Sequence, residues 1–254
     1  MEGVAASRPA FAMMDPTGDG SGIDLQLPFS FATHDGDGAL VRPRLAAQYV
    51  LDNGLGAYGV LHGAGSLGAE TGGNATSGIG NFELGALYHT ALAPALDLGL
   101  RAGFAFATAN GDDLRRLTNL SATTLARPAD FATVAPGNWL RLGVSPTYHQ
   151  GIGFARVDLG VDVPLTSRDQ LGGDTLAHVN AGVGVALDHL TVTGELQTLI
   201  QVSGDQAMDT LYTAGVSARY QLDHVAPYLA VSMPLGNDVT GDFLAVTGGV
   251  AMAL

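Results

Sequence analysis

The sequence predicts an all-β fold, a closed antiparallel up-and-down transmembrane β-barrel of about 12 strands, and three observations carry that reading. Residues 155–165 alternate without error. Ala155, Val157, Leu159, Val161, Val163 and Leu165 fall on one parity, and Arg156, Asp158, Gly160, Asp162 and Pro164 on the other. A strand of that pattern separates an apolar medium from a polar one, because successive side chains leave it on opposite faces. The device recurs in about a dozen segments, and the connections between them alternate between short and long.

Composition removes the competing classes. The chain has 254 residues, 46% hydrophobic, yet its apolar runs fall far short of the roughly 18 that a membrane helix needs. Its 36 glycines, many inside the alternating runs, each disfavour helix by about 1 kcal/mol relative to alanine. There is no cysteine, hence no disulfide framework or thiolate metal site. The amino terminus lacks a basic start followed by an apolar run of signal-peptide length, so an exported form would be a mature chain. Net charge is −13, which argues against nucleic acid as a partner, since phosphate binding needs a basic face.

Taken in order, period-two alternation and turn residues place strands near 22–33, 40–51, 57–66, 79–90, 96–107 and 138–149, then near 154–165, 176–187, 190–202, 210–222, 226–235 and 243–254. Each is long enough, at ~3.4 Å per residue and ~45° tilt, to cross a bilayer. Twelve is an even number, as bacterial single-chain barrels require. The expected organisation is a periplasmic amino-terminal segment over 1–21 and a barrel over 22–254 with a long third loop, 108–137. Connections after even strands are tight, and most of those after odd strands are long. In outer-membrane barrels the short side is periplasmic, which puts both termini there. Tyr49, Tyr88, Tyr148 and Tyr220 lie on the apolar parity beside the short turns, as an interfacial aromatic girdle does.

The polar parity carries Asp24, Glu83, Asp97, Asp158, Asp162 and Glu195 against Arg42, Arg44, Arg101, Arg141, Arg156 and Arg219, a lumen of six acids and six arginines. The whole net charge then lies outside the span. A charge on the lipid face costs about 2–4 kcal/mol at the midplane, so the parity is selected. These residues are candidate pore-lining groups, either laddered into ion pairs that stiffen the wall or setting a transverse field in a water-filled pore. A 12-stranded wall has a radius of roughly 12 Å and, after side chains, a bore of ~10 Å or less. Inward glycines at Gly85, Gly99, Gly103, Gly143, Gly160, Gly182 and Gly184 leave one side without bulk. The loop 108–137 is too long for a mere connection. Folded inward it forms a constriction with Asp112, Asp113, Arg115, Arg116 and Arg127; folded outward it is a lid.

No catalytic or metal site emerges. Ser145 and His149 share a face, but four residues at ~3.4 Å hold them more than about 10 Å apart. The histidines are scattered, and the facing of His62 is open because the third strand alternates weakly. Asp15-Pro16-Thr17-Gly18-Asp19-Gly20 lacks EF-hand spacing and reads as a turn. The expectation is a non-enzymatic chain without cofactor or metal.

Two resemblances follow from particular residues. Thr247, Gly249, Met252 and Leu254 resemble the carboxy-terminal signal read by the bacterial barrel-assembly machinery, departing from it in ending on leucine rather than an aromatic. Residues Gly80-Asn81-Phe82-Glu83-Leu84-Gly85-Ala86-Leu87-Tyr88, the leucine-alternating fifth strand and Asn110-Gly111-Asp112 are similar to outer-membrane transporters of aromatic-degradation operons, the phenol meta-pathway type. The resemblance covers about 35 residues and implies small-molecule passage. The expected function is a monomeric outer-membrane channel for passive passage of small solutes in a Gram-negative cell, its partners the lipid bilayer, the assembly machinery and the solutes. The alternative is a non-conducting structural or interaction barrel, its lumen plugged by salt bridges.

Overall fold

Twelve antiparallel staves close on themselves in the computed structural model, which describes residues 11–15, 17, 20–32, 38–68, 77–108, 127–135, 137–165, 174–203, 210–236 and 243–254. The first half comprises β1 (Gly22–Ala32), β2 (Gly38–Val41 and Arg44–Val50), β3 (Leu55–Gly68), β4 (Ser77–Ala93), β5 (Leu96–Phe106) and β6 (Trp139–Gln150). The second comprises β7 (Gly153–Pro164), β8 (Leu176–Leu187), β9 (Leu190–Gln201), β10 (Leu211–Tyr220), β11 (Val225–Leu235) and β12 (Phe243–Ala253). Each strand pairs with its sequence neighbours, and β12 returns to β1 in register from Gly22↔Ala253 to Ala32↔Phe243. Closure removes the unpaired edges that an open sheet would expose.

The short connections make tight turns that need left-handed backbone. Gly54 has φ +82, and a Cβ there would lie 2.0 Å from the His89 carbonyl oxygen, so only glycine fits. Asp188 (φ 44) and Asp223 (φ 41) take the same region in the turns after β8 and β10, a conformation that aspartate tolerates better than most residues.

Two local departures refine the sequence reading. The second stave is interrupted at Arg42-Pro43, where proline has no N–H for the ladder. The Arg42 N–H instead donates to the Pro28 carbonyl (3.0 Å), and the Pro43 carbonyl accepts from Gly63 N–H (2.8 Å). In β3 the register against β4 shifts between Leu61 and Gly63, a bulge that explains the weak alternation there. Tyr58, Val60 and His62 face inward on its near side.

Parity elsewhere sorts as expected. In β7, Phe154, Arg156, Asp158 and Asp162 are buried inside the barrel, while Val157 and Leu159 are exposed on its outer face. Val183 and Val216 are each more than 60% exposed, as residues facing lipid rather than water would be. Among the described residues no helix is long and apolar enough to cross a membrane. Among the described residues a 3-10 turn, Pro128–Asp130, runs into a one-turn helix, α1 (Phe131–Val134).

Candidate functional site: the occupied lumen

Among the described residues, two stretches of the chain outside the strands lie inside the lumen. Residues 11–15 and Thr17 are buried against the inner wall, so this stretch is not a segment lying outside the barrel, as the expectation of a periplasmic piece over 1–21 had it. Its seats are inward glycines, of which Gly182 and Gly99 are among the positions that sequence reading had left without bulk. A Cβ on Gly182 would meet the Phe11 ring at 2.4 Å, one on Gly215 the Met13 Cε at 2.8 Å, and one on Gly99 the Thr17 carbonyl at 2.9 Å. Other inward glycines admit wall side chains: Tyr58 over Gly85 and Gly103, His178 over Gly160, and Phe154 over Gly184.

Polar contacts hold this inserted segment by its backbone. The Ala12 and Met13 N–H groups each donate to a different oxygen of Glu195, both at 2.8 Å. The Ala12 carbonyl accepts from Gln26 Nε2 and Arg127 Nη1 (both 3.1 Å), the Met13 carbonyl from Gln197, and the Met14 carbonyl from Arg127 Nη2 (3.2 Å). Arg156 Nη2 donates to the Asp15 carbonyl (2.6 Å). Buried backbone groups need such partners, since each one left unmade costs about 1–3 kcal/mol.

Charge fixes the segment's centre. The Asp15 carboxylate lies 2.6 Å from Arg101 Nη1, 3.5 Å from Arg127 and 3.7 Å from Arg141. Burial alone would raise its pKa, but these guanidiniums, with Arg101 foremost, hold it well below the ordinary carboxylate value. Asp130 behaves likewise. Burial opposes its charge, while Arg127 (3.0 Å) and Arg42 (3.1 Å) hold its carboxyl down. Arg127, pressed toward the neutral form by burial, is pushed the other way by Asp130 and Asp15.

The second insertion is the end of the third long loop. Phe131, Ala132 and Ala135 pack with Trp139, Leu176, Leu199 and Ala105 into an apolar cluster at the long-loop end of the lumen. Asn81 Nδ2 donates to the carbonyls of Ala132 (3.1 Å), Ala135 (2.6 Å) and Gly137 (3.1 Å), tying the helical turn to β4. Phe131 meets Trp139 edge to face at 6.2 Å.

The candidate pore-lining residues are distributed unevenly. Arg42, Arg44, Glu83, Arg101, Arg141, Arg156, Asp158, Asp162 and Glu195 are buried inside the barrel. Wall-to-wall pairs join Arg141 to Glu83 (2.7 Å) and Asp162 (3.0 Å), with the Tyr58 hydroxyl donating to Glu83. Arg156 pairs with Asp158 two residues along its own strand, at 2.6 Å. Arg101 and Arg42 instead bind carboxylates of the inserted segments. Beside the six acids and six arginines of the wall, the inserted segments bring Asp15, Asp130 and Arg127 into the lumen. Asp97 pairs with His149 (3.1 Å) in a half-exposed position beside a short turn, and Arg219 lies over the Tyr228 ring, 4.8 Å from its centroid. Asp24 accepts from the Tyr228 hydroxyl at 2.7 Å.

Of the candidate constriction residues only Arg127 falls within the described part of the chain. Asp112, Asp113, Arg115 and Arg116 lie outside it. Tyr49, Tyr88, Tyr148 and Tyr220 are exposed on the outer face, and the last three pair with Leu55, Leu96 and Leu190, the first residues after short turns. Sequence reasoning missed Asp15, Gln26, Tyr58, Gln197 and Tyr228 as lumen groups. For Tyr58 and Tyr228 the glycines they cover, Gly85, Gly103 and Gly249, were the available signal.

No protein-family model matches the chain, and no curated protein matches it in sequence. Solved structures share its fold. An outer membrane channel from Pseudomonas putida F1 is 13% identical, covering 95% of this chain and 100% of that one at a TM-score of 0.64. The KdgM porin in complex with disordered oligogalacturonate is 12% identical, covering 92% and 99% at 0.56. Outer membrane phospholipase A from Escherichia coli is 12% identical, covering 92% and 90% at 0.52. The chain thus has the closed barrel fold of outer-membrane proteins, a fold that serves channels and at least one enzyme.

Proposed function

We propose that the protein is an outer-membrane channel for small solutes, held shut in this state by its own residues 11–17 and 127–135. The observation that carries this reading is the way the lumen is filled. The inserted segment is joined to the wall by hydrogen bonds and ion pairs seated on glycines, contacts that water can replace when the segment leaves. Several of the most similar folds are channels, which agrees with it. In the open state Arg101, Arg141, Arg156, Asp158, Asp162, Glu83 and Glu195, with Arg42, Arg44, Asp97 and Arg219 nearer the rims, line the path. Passage is passive, as through a fixed pore whose lining charges select by field and size.

The same reading places the four exposed tyrosines at the periplasmic headgroup level, both termini on that side, and a monomer folded by the assembly machinery through β12. It assigns no enzymatic role, because the extended strand that carries both keeps Ser145 and His149 apart. A second reading, a non-conducting structural barrel, is favoured by one observation, the number of lumen charges already tied in pairs. Planar-bilayer recording separates the two. The channel reading expects rare discrete openings from the full chain and frequent ones after deletion of residues 11–17. A folded deletion variant that never opens would establish the structural barrel instead.

A further inference from the structure

Ser30 on β1, Arg42 and Arg44 on the two halves of β2, and His62 on β3 form one patch of the inner wall, each no more than 3% exposed. Arg44 stands directly opposite His62 in the β2–β3 register, and opposite Gln26 on the β1 side. Ser30 faces Leu40, two residues before Arg42. The patch is rich in buried polar atoms that find no partner, the guanidinium N–H groups foremost. Arg42 Nε and Nη1, Arg44 Nε, Ser30 Oγ and both ring nitrogens of His62 are buried without a hydrogen-bond partner.

The nearby carboxylates are already engaged. Asp130 is shared by Arg42 and Arg127, Asp15 by Arg101 and Arg127, and Asp24 accepts from Tyr228 and Gln26. Among the described residues Arg44 has no ion-pair partner within 4 Å, so its guanidinium is the one in the patch with no carboxylate in contact. Leaving a charged buried donor unmade is costlier than leaving a neutral one, and native proteins seldom do it without a ligand or function.

We propose that this patch is a binding site for a small carboxylate monoanion, a solute-selecting station inside the lumen. A carboxylate offers two oxygens and about four lone-pair positions to converging donors, and its planar geometry matches guanidinium N–H groups. Its single charge suits the one guanidinium of the patch, Arg44, that has no ion-pair partner. Chloride is one acceptor atom for donors spread over three strands, and a phosphate dianion carries more charge than the patch balances. A cationic solute would be repelled, and a neutral one would leave the Arg44 charge without a countercharge. This assignment deepens the channel reading and rests on it only for how the solute arrives.

Acetate is the probe. Calorimetric titration of the full chain in detergent, with chloride and phosphate as competitors at matched ionic strength, should show saturable acetate binding that chloride does not displace and phosphate displaces only weakly. Arg44→Met should weaken binding at least tenfold and Ser30→Ala severalfold, in protein whose heat-modifiable gel mobility shows a folded barrel. If Arg44→Met does not fold, Ser30→Ala and the competition data decide. Absence of saturable binding, equal displacement by chloride, tighter phosphate binding, or unchanged affinity in the folded variants overturns the site. Binding needs no conduction, so loss of the site with openings intact, or the reverse, shows which of the two readings has failed.

Discussion

Replacing Asp15 with alanine should open the barrel. In the closed state Asp15 is the carboxylate 2.6 Å from Arg101 and within 4 Å of Arg127 and Arg141. Its removal leaves Arg101, 8% exposed, buried without its nearest countercharge. Breaking a buried pair from one side costs about 3–5 kcal/mol, because the surviving charge stays desolvated. That penalty falls on the closed state alone, since withdrawal of the segment lets water reach Arg101. At about 1.4 kcal/mol per tenfold, the closed-to-open ratio should fall by roughly two to three and a half decades. The backbone contacts of Ala12 and Met13 with Glu195 survive the substitution, so the segment loosens without a change in the barrel. Single-channel open probability in planar bilayers, compared at equal protein insertion, measures the shift directly. An open probability within twofold of the parent chain would refute the role given to this ion pair.

Further outcomes follow from the same contacts. Gly182→Leu places a side chain where Phe11 and Met14 sit, so the inserted segment should be expelled and cut early by a protease added to the short-turn side. Acid should open the channel late. A carboxyl with a depressed folded pKa contributes stability above its ordinary value and loses it as pH falls from there through the depressed one, so in current–pH recordings the part of acid opening that Asp15→Asn removes should lie below the ordinary carboxylate range. Val183→Arg puts a charge on an outer-face position that is 62% exposed and should cost about 2–4 kcal/mol in denaturant unfolding from liposomes, if that position lies near the midplane.

How much of this was legible in the sequence depended on distance along the chain. Period-two alternation is a local signal, so all twelve staves and the facing of Arg156, Asp158 and Asp162 could be read directly. Turn chemistry is local too, and Asp188-His189 and Asp223-His224 marked two hairpins. His62 escaped because the bulge between Leu61 and Gly63 disturbs the alternation around it. The inserted segment was harder. Ala12 binds a residue 183 positions away, and nothing in Phe11-Ala12-Met13-Met14 states that its partners are Glu195, Gln26 and Gln197. The cluster of inward glycines did indicate that something occupies the space, but not what. Arg127 was legible as a candidate constriction residue, whereas its anchoring of the amino-terminal carbonyls depends on that long-range fit.

The central claim is that residues 11–17 close a channel and leave it on opening. The chain contains no cysteine, so a single Ala12→Cys label is unambiguous. A membrane-impermeant thiol reagent added during single-channel recording should react only when the channel is open and should trap it conducting, because the bulky adduct cannot return to a position that is 2% exposed. Rapid modification of the closed barrel with no change in current would contradict the account.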